Sequence, residues 1–225
     1  MIRFQNVSKI YPNGTVALKN VSLSIAREEF VFLVGSNGAG KSTLLRMLYR
    51  AEKPSHGDVF VDQINVAKIP KHKVPFLRRN IGIVFQDYKL LPNRTVFENV
   101  AFALQVIGAP QLQIKKKVYQ MLELVGLTKK ADSYPREISG GEQQKVCIAR
   151  ALVNSPKILL ADEPTGNLAP EATWEIIQLL NRINLRNTTV IVATHDQSII
   201  DSTQKRVITV SEGQILNDDR VQHAL

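Results

Sequence analysis

Residues 35 to 43 read Gly35-Ser36-Asn37-Gly38-Ala39-Gly40-Lys41-Ser42-Thr43, a full match to the phosphate-binding pattern GxxxxGK[ST]. That pattern has meaning only between a strand and a helix, and both flanks comply. Phe30-Val31-Phe32-Leu33-Val34 is an apolar run of the kind that forms a buried strand. Thr43-Leu44-Leu45-Arg46-Met47-Leu48-Tyr49 is rich in good helix formers. Glycines let the backbone wrap so tightly that successive N–H groups converge on phosphate oxygens. The helix start adds free donors and the positive end of its dipole. Lys41 is then placed to reach the β- and γ-phosphates, and the Ser42 hydroxyl to ligate Mg²⁺.

The rest of the chain supplies the elements such a loop requires. Residues Ile2 to Ile25 alternate apolar and polar around the turn Tyr11-Pro12-Asn13-Gly14, and Asp58-Val59-Phe60-Val61 continues in that manner. This predicts a small antiparallel sheet. Helical spacing of apolar residues covers Val96 to Val106 and Lys115 to Val125, separated by Gly108-Ala109-Pro110. A helix follows Ser139 through about Leu152. Then come an apolar strand, Ile158-Leu159-Leu160-Ala161, a helix near Glu171 to Asn184, and a strand, Thr188 to Ala193. The order predicts one α/β domain, a P-loop NTPase core with a mainly parallel sheet, a small antiparallel β subdomain and an inserted α-helical subdomain. The expected division is residues 1–86 and 155–217 for the core with its β part and 87–154 for the helical part. The polar stretch from Asn217 to Leu225 reads as a disordered tail, its last part (218–225) outside the core.

Composition narrows the setting. No stretch approaches the roughly 20 apolar residues needed to cross a bilayer, and the start of the chain is too short and polar for a secretory signal. The expectation is a cytoplasmic protein, or one held at a membrane by a partner. A single cysteine, Cys147 in Val146-Cys147-Ile148, excludes an internal disulfide and reads as a small core filler. The net charge of +9 favours anionic surroundings. Its clusters, Lys71-His72-Lys73, Arg78-Arg79 and Lys115-Lys116-Lys117, each also suit a solvated helix face.

Further signals carry chemistry. The strand Ile158 to Ala161 ends in Asp162-Glu163; a strand-end aspartate holds Mg²⁺ in P-loop enzymes, and hydrolysis needs a group that polarises water, for which Glu163 is the candidate. Ser139-Gly140-Gly141-Glu142-Gln143 reads as a capping box. Its two glycines cost about 1 kcal/mol each relative to alanine in a helix, which is useful where an anion must approach the helix tip closely. His195 follows the strand Val190 to Thr194, at the sheet edge where open α/β folds carry their sites. Gln86 follows the apolar strand Ile81 to Phe85, and Tyr11 offers a ring to stack on a base.

In this order these elements resemble the nucleotide-binding subunits of ABC transporters, across essentially the whole chain from Met1 to about Asn217. Gly35 to Ser42 matches the Walker A loop and Ile158 to Asp162 the Walker B strand. Ser139 to Gln143 matches the signature, the most diagnostic motif of the superfamily. Gln86, His195 and Tyr11 match the Q-loop glutamine, the switch histidine and the A-loop aromatic. A finer resemblance, to the FtsE-like cell-division branch, rests on Tyr11 to Leu18, Ile83 to Asp87, Leu90-Leu91-Pro92, Arg94 to Leu104 and Val106 to Pro110. The run Asp162 to Leu168 is shared more widely, with lipoprotein-releasing (LolD-like) and MacB-like exporters, which leaves an exporter ATPase as the alternative.

The resemblance implies an ATP-promoted head-to-tail homodimer hydrolysing ATP with Mg²⁺. Tyr11, the loop from Gly35 to Thr43, and Ser139, Gly140, Gly141 and Glu142 would bind nucleotide. Ser42, Gln86 and Asp162 would hold the metal, with Glu163 and His195 catalytic. It also implies an FtsX-like integral membrane partner at the cytoplasmic face of the membrane, with peptidoglycan hydrolases as indirect targets and no role for nucleic acid. The chain departs from the branch at Ser36-Asn37, in place of Pro-Ser; at Glu28, where a turn glycine is usual; and at Ala169, where the D-loop carries aspartate. Loss of that carboxylate, which helps the two sites communicate, implies slow or poorly coupled hydrolysis.

Overall fold

The computed structural model describes residues 1–219. The chain runs β1 (Ile2–Ile10), β2 (Val16–Ile25), β3 (Phe30–Val34), α1 (Lys41–Leu48), β4 (His56–Val61), β5 (Ile64–Asn65), α2 (Val74–Arg79), β6 (Ile81–Val84), α3 (Val96–Gln105), α4 (Gln111–Leu124), α5 (Gly140–Leu152), β7 (Ile158–Asp162), α6 (Pro170–Asn184), β8 (Thr189–Thr194), α7 (Gln197–Asp201), β9 (Arg206–Ser211) and β10 (Gln214–Asp219). One sheet has the order β2-β1-β4-β5, the other β10-β9-β3-β8-β7-β6. The pairs of the first are antiparallel. In the second, every pair from β9 to β6 is parallel, and only β10 runs against its neighbour. This is the α/β architecture that the sequence predicts.

Strand β3 is buried along its whole length because both of its faces are covered. Its side chains alternate between two cores. Phe30, Phe32 and Val34 join one core with Val190 and Val192 of β8 and the apolar faces of α3, α4, α5 and α6. Val31 and Leu33 join the other with Ile191, Leu44 and Leu48 of α1 and the small sheet. The same alternation splits Leu159 and Ala161 from Ile158 and Leu160 in β7. The parallel strands are thus the middle layer, and their C-terminal ends converge on one edge, where loops leave for α1, Gln86, Asp162 and His195.

Helices α3, α4 and α5 lie between β6 and β7 in the chain. Capping boxes start α3 (Thr95 with Glu98) and α5 (Ser139 with Glu142). Asn99, fully buried, accepts from Leu91 N and donates to Leu91 O, Arg94 O and Thr95 O. It pins the segment after Gln86 to α3. Cys147 is buried, and desolvation pushes its thiol up to about 12. It donates to Tyr88 O at 2.9 Å, as a core residue rather than a nucleophile. Glu28 turns with φ 63°, the left-handed region that a glycine adopts without strain, and donates its N–H to Thr189 Oγ1 at 2.9 Å.

The disordered tail expected from Asn217 onward does not begin there. Asn217 pairs with Thr209 and Asp219 with Val207 in β10, and Asp218 between them holds the buried Arg206 guanidinium. Asp218 accepts from both Nε and Nη2 of Arg206 at 2.7 Å, while Arg206 Nη1 reaches Ser24 O at 2.9 Å and Glu29 Oε1 at 2.8 Å. The Arg206 side chain is 4% exposed, so this one guanidinium fastens β10, β2 and the entry to β3 together. Residues 220–225 lie outside the described residues. Removing one partner of a buried ion pair costs about 3–5 kcal/mol. Glu29 and Asp218 keep some solvent, so Arg206→Ala should lose about 3 kcal/mol in urea unfolding, and a loss below about 1 kcal/mol would remove the clamp from this account.

Candidate nucleotide-binding site

The loop after β3 is shaped by backbone that only glycine supplies. Gly35 has φ 150°, and a Cβ there would sit 2.1 Å from Val210 O. Helix α1 then starts at Gly40 with no side-chain cap, so its first N–H groups stay free to meet an anion. Asn37 to Thr43 line a cleft of about 340 Å³ together with Arg46, Phe85, Gln86, Asp87, Lys89, Asp162 and Glu163. Of the residues singled out from the sequence, Asn37 to Thr43, Gln86, Asp162 and Glu163 line this cleft, and Gly35 and Ser36 do not.

Lys41 is 6% exposed. Its Nζ donates to Gly35 O at 2.7 Å and Ser36 O at 3.2 Å and lies 3.5 Å from Glu163 Oε1. Ser42 Oγ donates to Asp162 Oδ1 at 2.9 Å. Desolvation raises the Asp162 carboxyl above its usual range; the Ser42 hydrogen bond opposes this, and the neighbouring Glu163 charge adds to it. Glu163 adopts φ 50° and donates its N–H to Ala193 O at 2.9 Å. A left-handed non-glycine residue is a local strain of the sort that gathers at functional sites. Here it directs the carboxylate back over the loop. His195 Nδ1 lies 3.0 Å from Glu163 Oε2, so Glu163 joins Lys41 on one side to His195 on the other.

Glu163 is also the wall between two clefts. The second, about 530 Å³, is lined by Thr165, Gly166, Leu168, Pro170, Trp174 and His195 among others. Tyr11, Ser139, Gly140, Gly141 and Glu142 line neither. Tyr11 nevertheless touches the loop's helix: its hydroxyl is 3.3 Å from Thr43 Oγ1, and the Lys9 ammonium lies 4.9 Å from its ring centre. In the signature, Glu142 N donates to Ser139 Oγ at 3.2 Å and Ser139 N to Glu142 Oε2 at 2.9 Å, the reciprocal cap expected. Its glycines have a packing role inside the chain as well. A Cβ on Gly140 would meet the Tyr88 hydroxyl at 3.0 Å, and one on Gly141 the Ala172 side chain at 3.1 Å.

Two basic residues in the first cleft, Arg46 and Lys89, escaped the sequence reading. Arg46 had a usable signal: it stands four residues after Ser42, and i,i+4 positions share a helix face. Lys89 had none, since its place depends on a left-handed turn, φ 49°. Ala169 is the N-cap of α6 and, having no polar side chain, makes no cap hydrogen bond.

Comparison with known proteins agrees with this geometry. The ABC transporter family profile matches residues 18–166. The cell division ATP-binding protein FtsE of Streptococcus pneumoniae (strain D39) is 52% identical over 219 residues, spanning 97% of this chain and 95% of that protein. FtsE of Bacillus subtilis is 51% identical over 219 residues, 97% of this chain and 96% of that one. FtsE of Escherichia coli K12 is 45% identical over 215 residues, 96% and 97% of the two chains. Among solved structures, a dimeric ATP-binding cassette in a post-hydrolysis state bound to ADP and Pi superposes with a TM-score of 0.89 at 35% identity, each chain covered in full. A cassette from Clostridium perfringens, part of an ABC transporter complex, gives a TM-score of 0.91 at 32% identity, with 98% of this chain and 88% of that one covered.

The bare start of α6 carries a prediction. An aspartate at an N-cap contributes about 1 kcal/mol over alanine. Ala169→Asp should therefore raise the unfolding free energy by about that amount in urea; no gain would show that the residue does not act as a cap.

Proposed function

The chain belongs to the ABC transporter family and, within it, to the FtsE-like ATPases; from that premise we propose that two copies hydrolyse ATP at shared sites and pass the resulting motion to a membrane protein in cell division. The chain is an ABC-type ATPase. The identity of 45–52% to FtsE proteins over nearly its whole length favours the division role over the lipoprotein-releasing or MacB-like alternative. The observation that carries the mechanism is the placement of Glu163 between Lys41 and His195, beside the Ser42–Asp162 pair.

In this reading the loop N–H groups and Lys41 hold the phosphates. Lys41 exchanges Glu163 and the loop carbonyls for phosphate oxygens, which releases the carboxylate to accept a proton from the attacking water. His195 holds Glu163 in place and steadies the γ-phosphate. Ser42, Gln86 and Asp162 fit Mg²⁺: they are oxygen donors, and the Ser42 and Asp162 oxygens already face each other at 2.9 Å. Among the described residues no three His, Cys, Asp or Glu side chains gather as a metal cage. That suits an ion bound by few protein groups plus substrate phosphates. Held by Ser42, Gln86 and Asp162, Mg²⁺ would supply neutralisation of charge on the substrate phosphates.

The dimer is proposed because the signature tip lies outside both clefts of its own chain, while cassettes of this fold have been solved as dimers. A second copy would present Ser139, Gly140 and Gly141 to the loop of the first, with Tyr11 stacking on the base. Among the described residues no helix is long and apolar enough to cross a membrane. The proposed attachment to the cytoplasmic membrane face runs through an FtsX-like partner, with peptidoglycan hydrolases beyond it.

Glu163→Gln should bind ATP as the unaltered chain does and lose at least about 100-fold in steady-state phosphate release, the usual worth of a general base. Full turnover would take Glu163 out of this role. Restoring the D-loop carboxylate with Ala169→Asp should raise the ATPase rate per dimer, measured at equal dimer concentration. An unchanged or lower rate would mean that Ala169 does not limit coupling.

A further inference from the structure

A third cleft, about 810 Å³, opens at the opposite edge of the parallel sheet, where β6 and β7 begin. Its floor is Val61, Leu77 and Ile158, all buried, and its lips are Ile64 and Phe76, 46% and 59% exposed. The volume falls within the range of ligand pockets. The nucleotide mechanism uses none of it.

Basic residues outnumber acids around the groove. Residues 68–79 contain Lys68, Lys71, His72, Lys73, Arg78 and Arg79 and no acid. The one carboxylate in the lining, Asp62, is matched twice, by Arg27 and by Lys157. Lys68 pairs with Asp58 at 3.2 Å. Arg78 is engaged with Tyr49 O and Arg50 O, and the Arg79 guanidinium lies over the Phe76 ring at 4.9 Å. Among the described residues, Lys73 at the mouth has no carboxylate within ion-pair distance. The amides nearby are already engaged within the chain. Asn65 Nδ2 donates to Asp58, Asn65 Oδ1 accepts from Ala67 N and Lys68 N, and Asn80 Nδ2 donates to Phe76 O.

We infer that this groove binds an anionic single-chain amphiphile, such as a fatty acid or a lysophospholipid, with its acyl chain on the Val61–Leu77–Ile158 floor and its head group at Lys73. An aliphatic floor without spare hydrogen-bond partners suits a hydrocarbon tail. It penalises an extended peptide or a sugar, whose polar groups would be desolvated there without compensation. The uncompensated Lys73 ammonium supplies the preference for an anionic head. Lying at the strand starts, the groove is separate from the cleft at the strand ends, so nucleotide and amphiphile do not compete.

The test is calorimetric titration of the full chain with dodecanoate below its micellar concentration, with and without saturating ATP and magnesium. Saturable binding of one equivalent is expected, unchanged by ATP, with no saturable binding of the neutral dodecyl maltoside. Lys73→Gln should weaken binding about fivefold, the size of one exposed ion pair. Phe76→Ser, at an exposed lip that folding does not need, should weaken it at least as much. Absence of saturable binding, displacement by ATP, or affinity in both variants unchanged from that of the unaltered chain overturns the inference. Binding to phosphatidylglycerol vesicles without binding of monomeric dodecanoate also overturns it, since the basic face would then meet a membrane surface and not a tail. Dye-labelled ATP binding, measured in parallel, keeps this outcome distinct from failure of the nucleotide site.

Discussion

Lys41 is an ammonium held almost out of water by its own loop, and the rest of the site is arranged around that fact. A buried cation needs compensation, and here it comes from two backbone carbonyls and one carboxylate. The carbonyls point inward because Gly35 permits a backbone path that a side chain would block. The carboxylate arrives because Glu163 takes a left-handed turn at the end of β7. Both groups are weaker partners than a triphosphate, which brings more negative charge and more oxygens. The carbonyls and the carboxylate are thus partners that a triphosphate could displace, and in the proposed mechanism that exchange frees Glu163. Glu163 also contacts His195, so in the proposed mechanism the exchange would reach the second cleft, which Leu168 and Pro170 at the start of α6 help to line.

Much of this was legible in the sequence because the parallel strands are covered on both faces. Such strands appear as uninterrupted apolar runs, and the polar residue that ends each run stands at the edge where sites form. Asp162 and His195 were found in that way, the loop by its own pattern, and Gln86 by its match to the Q-loop glutamine. The elements that escaped lack that signature. β10 is Gln214-Ile215-Leu216-Asn217-Asp218-Asp219, an edge strand with little to bury, and its order depends on Arg206, twelve residues before Asp218. Helix α2 is short and basic, and nothing in its composition separates a solvated face from the wall of a groove.

The signature shows another limit of a single sequence. Its capping box could be read directly, and the reciprocal hydrogen bonds are present. The glycines carried two meanings at once. Close approach of an anion and close approach of Ala172 and Tyr88 both require bare backbone, and only coordinates separate them. Ala169 is similar. The missing carboxylate could be noticed from the motif, but its local consequence, an uncapped α6, needed the structure. One substitution therefore touches helix stability and, in the proposed dimer, communication between sites.

The measurement that bears most directly on this account is the affinity of Lys41→Ala for ATP with magnesium, by calorimetry, beside a thermal unfolding curve of the same protein. With the ammonium as the main partner of the phosphates, affinity falls by roughly 10- to 100-fold, the worth of a charge-assisted hydrogen bond or two, while the unfolding transition remains cooperative. Unchanged affinity in a folded variant would contradict it, because the loop would then hold nucleotide without the one charge around which the site is built.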